Sequence, residues 1–311
     1  MTTTHHPDAG TDPRATATTD STRTPGGAPQ VRPSSHPRRP RPGTIARYIA
    51  LVVMLIVLAG PLLWQLSLSL KGPDDDLYRR PPQLIPSDPT LGNFADVIDR
   101  IPVLAFVANS FIVAAIVIGG NIVLATAAGF ALARLRWKLR PVATAVFVAA
   151  MLVPLEAIII AQFLLVRSMG LTDTLLGVAL PMLVTPLNVL LMRNAFLGIP
   201  DEMEEAAVVD GANAWQRFWR ICVPQVKGVI SVVAIFAFVG SWNDFLWPLI
   251  ILTSEQNYTL TVGLNYLRGT FYDDPRLIAA GTIIALIPIL ALFVAMQRYF
   301  MRGLEQGGIK G

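Results

Sequence analysis

Apolar residues lie along this chain in long, nearly uncharged runs. A helix rises about 1.5 Å per residue, so about 20 apolar residues cross the roughly 30 Å hydrocarbon core of a bilayer. Six runs approach or exceed that length, at about residues 46–70, 106–133, 141–166, 174–192, 228–251 and 277–297. The runs are continuous rather than alternating with a period of two, which excludes transmembrane strands. The pattern predicts an all-α, polytopic membrane protein with six transmembrane helices.

The segment before the first run is polar throughout. Residues 1–44 are rich in Thr, Pro, Arg, Gly and Ser and nearly lack large apolar residues, so burial cannot offset the entropy cost of ordering them. The uncharged run from Tyr48 to Leu70 is longer than the apolar part of a signal peptide. We therefore expect a disordered cytoplasmic tail over 1–44, and a membrane domain over 45–311 that begins with an uncleaved span.

Composition agrees with a membrane protein and excludes several other classes. The chain is 53% hydrophobic and only 15% charged, with a mean hydropathy of +0.53. The net charge of +4 does not indicate nucleic-acid binding, because the arginines are spread over the tail and the short flanks of the runs. Cys222 is the only cysteine and all three histidines lie in the tail. We therefore expect no disulfide, no metal site, no cofactor and no catalytic constellation of a membrane enzyme.

The distribution of Lys and Arg predicts which flanks face the cytoplasm. With a cytoplasmic N-terminus, the tail, the loop 134–140, the segment 193–227 and the ending 298–311 lie inside. These segments, together with Arg47 at the start of the first run, hold 18 of the 25 basic residues, and 7 lie on the outer side. The short loop 134–140 carries four basic residues and no acid. By the positive-inside rule we expect a multi-pass protein of the plasma membrane with both termini in the cytoplasm.

The cytoplasmic segment 193–227 is longer than a simple linker and carries helix signals of its own. Pro200 suits a first helical turn, four acids follow it where the helix dipole favours anions, and Gly211 is a stop signal. A second helix is predicted up to Pro224, with an apolar stripe at Trp215, Phe218, Trp219 and Cys222. The pair is either an interfacial anchor or an element that docks to a cytoplasmic protein, and the acids argue against adsorption to an anionic leaflet.

The same segment resembles a known family. The EAA motif of ABC importer permeases is matched, with its spacing intact, by Glu205-Ala206-Ala207, Gly211, Ile221 and Val223-Pro224, where Val223 replaces the usual leucine. In that family the segment is the coupling helix, which sits in a cleft of the ATP-hydrolysing subunit. The resemblance implies that Glu205 pairs with a basic residue of the ATPase. It also implies that the two alanines permit close approach and that Gly211 makes the turn.

Softer similarities extend over residues 45–311. Asn109-Ser110 and the stretches 170–174, 242–248 and 297–303 are similar to carbohydrate-type permeases related to the second maltose-transporter subunit. This resemblance implies that the chain imports a sugar by alternating access and that membrane lipid surrounds it. The implied partners are cytoplasmic ATPase subunits, a second homologous permease and an extracytoplasmic solute-binding protein. It also implies that the flexible ending 298–311 reaches between two ATPase subunits.

The energy source is expected to lie in a partner. None of the four lysines follows a glycine, so the chain has no P-loop in which backbone amides cradle phosphate. ATP is therefore expected to be bound by a partner subunit, and the chain is expected to be a transport subunit rather than an enzyme.

Polar residues within the runs are candidates for a substrate path. Asp244 follows Trp242 and Asn243, and a charge at a bilayer centre costs about 2.5–3.5 kcal/mol unless it faces the bundle or water. These residues either line a sugar path, with the indole stacked on the sugar, or form an interhelical hydrogen bond. Asn188 has the same two interpretations.

Glu156 is the other acid within a run, just after Pro154, and is expected to pair with backbone groups that the proline leaves free. The alternative to an ABC importer is an ion-coupled secondary transporter with Glu156 and Asp244 as coupling carboxylates. That alternative requires similar halves, which the runs do not show, and leaves the segment 193–227 unexplained.

Overall fold

The computed structural model describes residues 42–267 and 274–307. Within these ranges the chain is helical, as predicted, and extended pairing is confined to an isolated antiparallel bridge between Lys71 and Pro89. The helices are α1 (Pro42–Ser69), α2 (Gly92–Arg100), α3 (Val103–Gly120), α4 (Thr126–Arg134), α5 (Arg140–Ala150), α6 (Leu155–Ser168), α7 (Leu175–Ala179), α8 (Pro186–Leu197), α9 (Asp201–Val209), α10 (Ala214–Gln216), α11 (Val223–Gln225), α12 (Lys227–Asn243), α13 (Leu246–Ile251), α14 (Leu260–Asn265) and α15 (Pro275–Gly307). Short π-helices occupy Asn121–Ala125 and Arg217–Cys222, and 3-10 turns occupy Leu180–Met182 and Glu255–Asn257.

In the described part of the chain, three helical stretches are long and apolar enough to cross a membrane unaided. They are Ala46–Ser69, Val103–Arg134 and Pro275–Ala295, and they coincide with the first, second and sixth predicted runs. The second stretch consists of α3, the first π-helix and α4. The part of the chain up to Val52 and the part from Val53 form two compact units, and every contact described below lies within the second.

The other predicted spans are bent pairs rather than single helices. The axes of α5 and α6 differ by 106°, and those of Leu175–Met182 and α8 differ by 46°. Prolines account for both bends, because Pro154 precedes α6 in an extended conformation and Pro186 begins α8. Up to six crossings result if each bent pair, including Ala214–Gln225 with α12 at 80°, counts as one.

The predicted span 228–251 is not one helix. Helix α12 ends at Asn243, since Asp244 is extended with φ −66° and ψ 127°, and α13 begins at Leu246. The acid that interrupts the apolar run is therefore also the residue at which the helix breaks.

The two ends of the chain fall partly outside the described residues. Residues 1–41, on which most of the predicted tail falls, lie outside them, and α1 begins at Pro42. Residues 298–307 were expected to begin a flexible ending, but they continue α15 to Gly307. Leu, Met, Glu, Gln and Arg are frequent there and favour helix. Residues 308–311 also lie outside the described part.

Three buried apolar clusters lie within the described residues, and the two largest organise the helices. In the larger one α3, α12 and α15 meet around Phe106, Phe238 and Trp242. In the smaller one Phe130 of α4 contacts Phe196 of α8 and Phe218 of the second π-helix, with ring centroids 5.6 and 5.0 Å apart. The smaller cluster lies directly beside the segment 193–227, so it anchors that segment to α4 and α8.

Asp173 holds together two loops that the predicted topology places outside the cell. Its carboxylate accepts hydrogen bonds from the backbone N–H groups of Thr253 and Ser254, both at 2.9 Å, and its carbonyl accepts one from Asn257 at 2.7 Å. The bonds from the Ser254 hydroxyl and N–H hold the pKa of Asp173 well below its usual range. The stretch 170–174 noted in the sequence is thus a loop anchor.

Replacing Asp173 by Asn should loosen the loop 252–257. The pKa of Asp173 is lower in the folded chain than in the unfolded chain, where it is about 4. The carboxylate therefore stabilises the fold fully above about pH 4, and this stabilisation is lost as the pH falls through the pKa of the folded chain. Hydrogen exchange of residues 252–257 at neutral pH should therefore be faster in Asp173→Asn. Asp74→Asn, at an exposed acid with no hydrogen bond in the described structure, should leave that exchange unchanged. Equal protection in both variants would contradict the anchor.

Candidate functional site

Helix α9 presents the motif residues on two faces. Pro200 precedes the helix, and Asp201, Glu202 and Glu204 lie in its first turn, where the helix dipole stabilises anions. Glu205 and Ala206 are exposed, whereas Ala207 is buried. The outward face therefore carries a carboxylate beside a small side chain, which leaves room for a partner surface to approach the helix closely.

Gly211 follows the end of α9, where the sequence predicted a stop, and it adopts a left-handed backbone conformation. Its φ is +80°, a conformation that costs a residue with a Cβ about 1–2 kcal/mol. The N–H of Ala212 donates to Ala207 at 2.9 Å and the N–H of Gly211 donates to Val208 at 3.0 Å, the two bonds of a Schellman motif. The chain thus reverses sharply directly after the acidic helix.

The next helical turn begins with a reciprocal cap. The Asn213 side chain accepts from the N–H of Gln216, and the Gln216 side chain accepts from the N–H of Asn213, both at 2.9 Å. This capping box satisfies donors that a helix start leaves open. The residues 201–224, which we call the elbow, therefore hold their shape through local bonds at their centre.

The predicted apolar stripe of the second segment is split in the structure. Phe218 and Cys222 are buried against α4 and α8, whereas Trp215 is 67% exposed and Trp219 is 46% exposed. The reason is the π-helix Arg217–Cys222, whose wider turn changes which residues share a face. Of the remaining motif residues, Ile221 is half-buried and Pro224 is exposed.

A buried ion network below α9 was not predicted from the sequence. The Glu204 carboxylate lies 2.9 Å from Arg217 Nη1 and 3.4 Å from Arg134 Nε, and its side chain is only 8% exposed. Arg134 also pairs with Asp201 and donates to the carbonyl of Phe196 at 3.0 Å. The network joins the end of α4, the end of α8, α9 and the second π-helix. Its only sequence signal was an arginine at the end of an apolar run.

An open cavity of about 850 Å³ lies between the elbow and the loop 134–140. Acids of α9 line one side and basic residues of the loop line the other, and Glu205 is part of the lining. The cavity places Glu205 at the edge of a recess rather than on a flat surface. A cation on a partner protein can therefore approach it from outside the bundle.

The candidate residues of a substrate path are not brought together. Trp242 is 3% exposed, stacks on Phe238 with centroids 5.3 Å apart, and donates its indole N–H to the carbonyl of Ala285. The sugar-stacking role predicted for this indole does not agree with that packing. Asn243 is exposed and Asp244 is half-buried at the helix break. Of the candidates, Asn243 and Asp244 keep accessible surface in the isolated chain.

Asn188 is buried in a polar node with Asn121. Its amide donates to Asn121 Oδ1 at 2.9 Å, and Asn121 donates to the carbonyl of Met182 at 2.7 Å. Thr185 also donates to Asn121. The node ties the first π-helix to the 46° bend before α8, which corresponds to the interhelical interpretation of Asn188.

Glu156, the other acid that interrupts an apolar run, is exposed in the first turn of α6. It has no hydrogen bond in the described structure, contrary to the expected pairing with backbone groups.

Comparisons with known proteins agree on a single family. A family model described as "Binding-protein-dependent transport system inner membrane component" matches residues 121–306. The chain is 31% identical to the arabinooligosaccharides transport system permease protein AraQ of Halalkalibacterium halodurans, over 77% of this chain and 87% of that protein. It is 30% identical to the diacetylchitobiose uptake system permease protein DasC of Streptomyces coelicolor, over 86% and 98%.

A solved structure has a similar fold. It is a bacterial ABC transporter involved in the import of the acidic polysaccharide alginate, and its matching chain superposes with a TM-score of 0.74 at 22% identity, covering 85% of this chain and 99% of that one. At this identity the likeness is one of fold.

Proposed function

The chain belongs to the family of inner membrane components of binding-protein-dependent transport systems, and we propose that it is a permease subunit of an ABC importer for a sugar or oligosaccharide. The names of AraQ and DasC support a carbohydrate substrate. A second permease, cytoplasmic ATPase subunits and an extracytoplasmic binding protein complete the assembly. ATP is bound by the ATPase subunits, and this chain supplies part of the membrane path.

The topology has six crossings with both termini in the cytoplasm. In this arrangement the pair of α5 and α6 and the pair of Leu175–Met182 and α8 each count as one crossing. Helix α12 supplies the fifth crossing, and Ala214–Gln225 stays in the elbow. The excess of basic residues on one side supports this direction. The loop 134–140 and the elbow then lie on the same, cytoplasmic side. Apolar side chains of α1 from Val53 to Leu58 are more than half exposed, so this helix faces lipid or the second permease.

The elbow is the coupling element, and the observation that carries this proposal is its division into a buried base and an exposed tip. Glu204 and Ala207 fix α9 from below, while Glu205 and Ala206 face outward beside the cavity. A rigid helix with a free carboxylate transmits a push from an ATPase better than a mobile loop does, because its base moves together with α4 and α8. Closure of the ATPases then shifts the bundle between inward-facing and outward-facing states.

Replacing Glu205 by Ala is expected to weaken ATPase retention without unfolding the chain. A hydrogen bond to a charged group contributes about 1.5–3 kcal/mol, so the ATPase should be held about tenfold or more less tightly. The tagged full chain, expressed in its own host, is purified from membranes and the ATPase retained per chain is measured. Glu202→Ala, at an exposed acid of the same helical turn, is the control. ATPase retention at the wild-type level in Glu205→Ala would refute the docking role.

A further inference from the structure

A second depression, distinct from the one beside Glu205, lies on the other side of the loop 134–140. Its volume is about 760 Å³. Its lining includes Arg136, Trp137, Lys138, Arg140 and Arg193, with uncharged residues of α5 between them. The lining therefore holds four basic residues and no acid.

The basic residues of this depression have no anionic partner within the described ranges. The ion pairs found there involve Arg134, Arg217 and Arg276, and none involves the four cations of this lining. Arg193 donates from Nη1 to Asn194 at 3.3 Å, and its Nε is buried without a hydrogen-bond partner. A guanidinium N–H buried in this way is costly unless an anion or water reaches it. The electrostatics of the depression favour an anion.

An exposed apolar face of α5 lies outside the lining of the depression and adjoins its cations in sequence. Leu139, Val142 and Val146 are 58–64% exposed and share one face at the start of α5, with spacings of three and four residues. Trp137 is 41% exposed, and its indole N–H donates to the carbonyl of Ala131. An indole fixed between charged and apolar surface is typical of the membrane–water interface. The anion that fits here has an apolar portion.

We propose that this depression binds the phosphate headgroup of an anionic phospholipid of the cytoplasmic leaflet, with the acyl chains along the exposed face of α5. The proposal rests on the proposed function, because that function places the loop 134–140 at the cytoplasmic surface. Basic pockets between membrane helices on that side bind such headgroups. An acidic protein surface would match the charge, but it would leave Leu139, Val142 and Val146 uncovered, whereas a lipid covers both.

The site has a structural consequence for the coupling element. Arg136 and Arg140 line both this depression and the cavity beside Glu205. A lipid phosphate held between them and Arg193 neutralises like charges on α5 and α8 and braces the loop that the elbow faces. Anionic lipid is thus expected to stabilise the purified chain as well as to bind it.

The test compares charge-matched variants of the purified full chain. Affinity for dioleoylphosphatidylglycerol is measured by native mass spectrometry at low ionic strength for Arg136→Gln/Arg140→Gln/Arg193→Gln. The control is Arg79→Gln/Arg80→Gln/Arg100→Gln, which removes three exposed arginines on the predicted opposite side. With about 1 kcal/mol per basic residue, the first variant should bind on the order of 100-fold more weakly. The control variant should bind dioleoylphosphatidylglycerol as tightly as the wild type does. The zwitterionic lipid dioleoylphosphatidylcholine should bind to neither the wild type nor the variants.

Three results would overturn the proposal. The first is phosphatidylglycerol affinity in the triple variant equal to that of the control. The second is equal stabilisation of the wild type by inorganic phosphate alone, which would assign the site to a free anion. The third is a triple variant that binds the lipid as the wild type does but no longer retains the ATPase, which would assign this surface to the partner protein. A wild-type chain that binds phosphatidylglycerol through these arginines but retains no ATPase would refute the proposed function and leave the lipid site intact.

Discussion

A chain in which Glu204 is replaced by alanine is expected to lose about 3–5 kcal/mol of unfolding free energy. Glu204 is the acid that the side chains of Arg134 and Arg217 share, and these are only 7% and 21% exposed. Removing the carboxylate leaves two guanidinium groups close together in a partly dehydrated site. The loss should appear as a lower midpoint of thermal unfolding for the detergent-solubilised chain.

Glu202→Ala is the matched control for this substitution. It removes an acid from the same turn of α9, but Glu202 is exposed and makes no ion pair within the described residues, so its loss should change stability by less than about 0.5 kcal/mol. A double-mutant cycle with Arg217→Met then isolates the pair. Similar unfolding midpoints for the Glu204 and Glu202 variants would show that the ion network contributes nothing to stability.

Glu204 and Glu205 are neighbours in sequence, and their substitutions separate two roles. Glu205→Ala is expected to lower ATPase retention at unchanged stability, because the side chain is exposed. Glu204→Ala is expected to lower both, because the base that orients α9 is lost together with its contact to α4. A motion imposed on α9 reaches α4 through Arg134 and reaches α8 through the carbonyl of Phe196. If the ATPase docks on α9 as proposed, the ion network is the contact expected to link that docking to the bundle.

Local signals in the sequence predicted the tip of the elbow but not its base. Pro200, the acids after it and Gly211 act within one or two helical turns, so their effects follow from the order of residues alone. The partners of Glu204 are Arg217, 13 residues away, and Arg134, 70 residues away in the chain. Only the packing of α4 against α8 brings Arg134 to this place. The π-helix likewise has no signal in an apolar pattern that assumes a regular turn.

The apolar runs predicted where helices lie better than how they continue. The run 106–133 contains no proline and is a continuous helical stretch in the structure. The first and sixth runs are continuous too, although Pro61 and Pro288 lie inside their helices. The bend before α8 follows from Pro186, which the sequence displays. The break of the helix at Asp244 was not predicted. The apolar pattern reveals the charge of this residue but not its extended backbone conformation. Its carbonyl accepts from Thr261 Oγ1 at 2.7 Å, a contact with α14 that no local pattern contains.

Replacing Gly129 by valine should separate α4 from α8. A Cβ at this position would lie 2.6 Å from Met192 Cβ and 2.8 Å from the backbone nitrogen of Arg193, so the clash cannot be relieved by turning a side chain. Small residues at such crossings let membrane helices approach closely. We expect a loss of stability at the upper end of about 1–3 kcal/mol, measured as a lower midpoint of thermal unfolding in detergent.

Gly119→Val provides the control, because it makes the same change of helix propensity in the same predicted span with no atom within 4 Å of the added Cβ. The difference between the two variants therefore isolates the crossing of α4 and α8. That crossing also sets the position of Arg134 at the end of α4 relative to Phe196 at the end of α8. Gly129→Val should consequently reduce ATPase retention too, although the substitution lies in the membrane. Wild-type retention in a destabilised Gly129→Val chain would mean that α9 is positioned independently of this crossing.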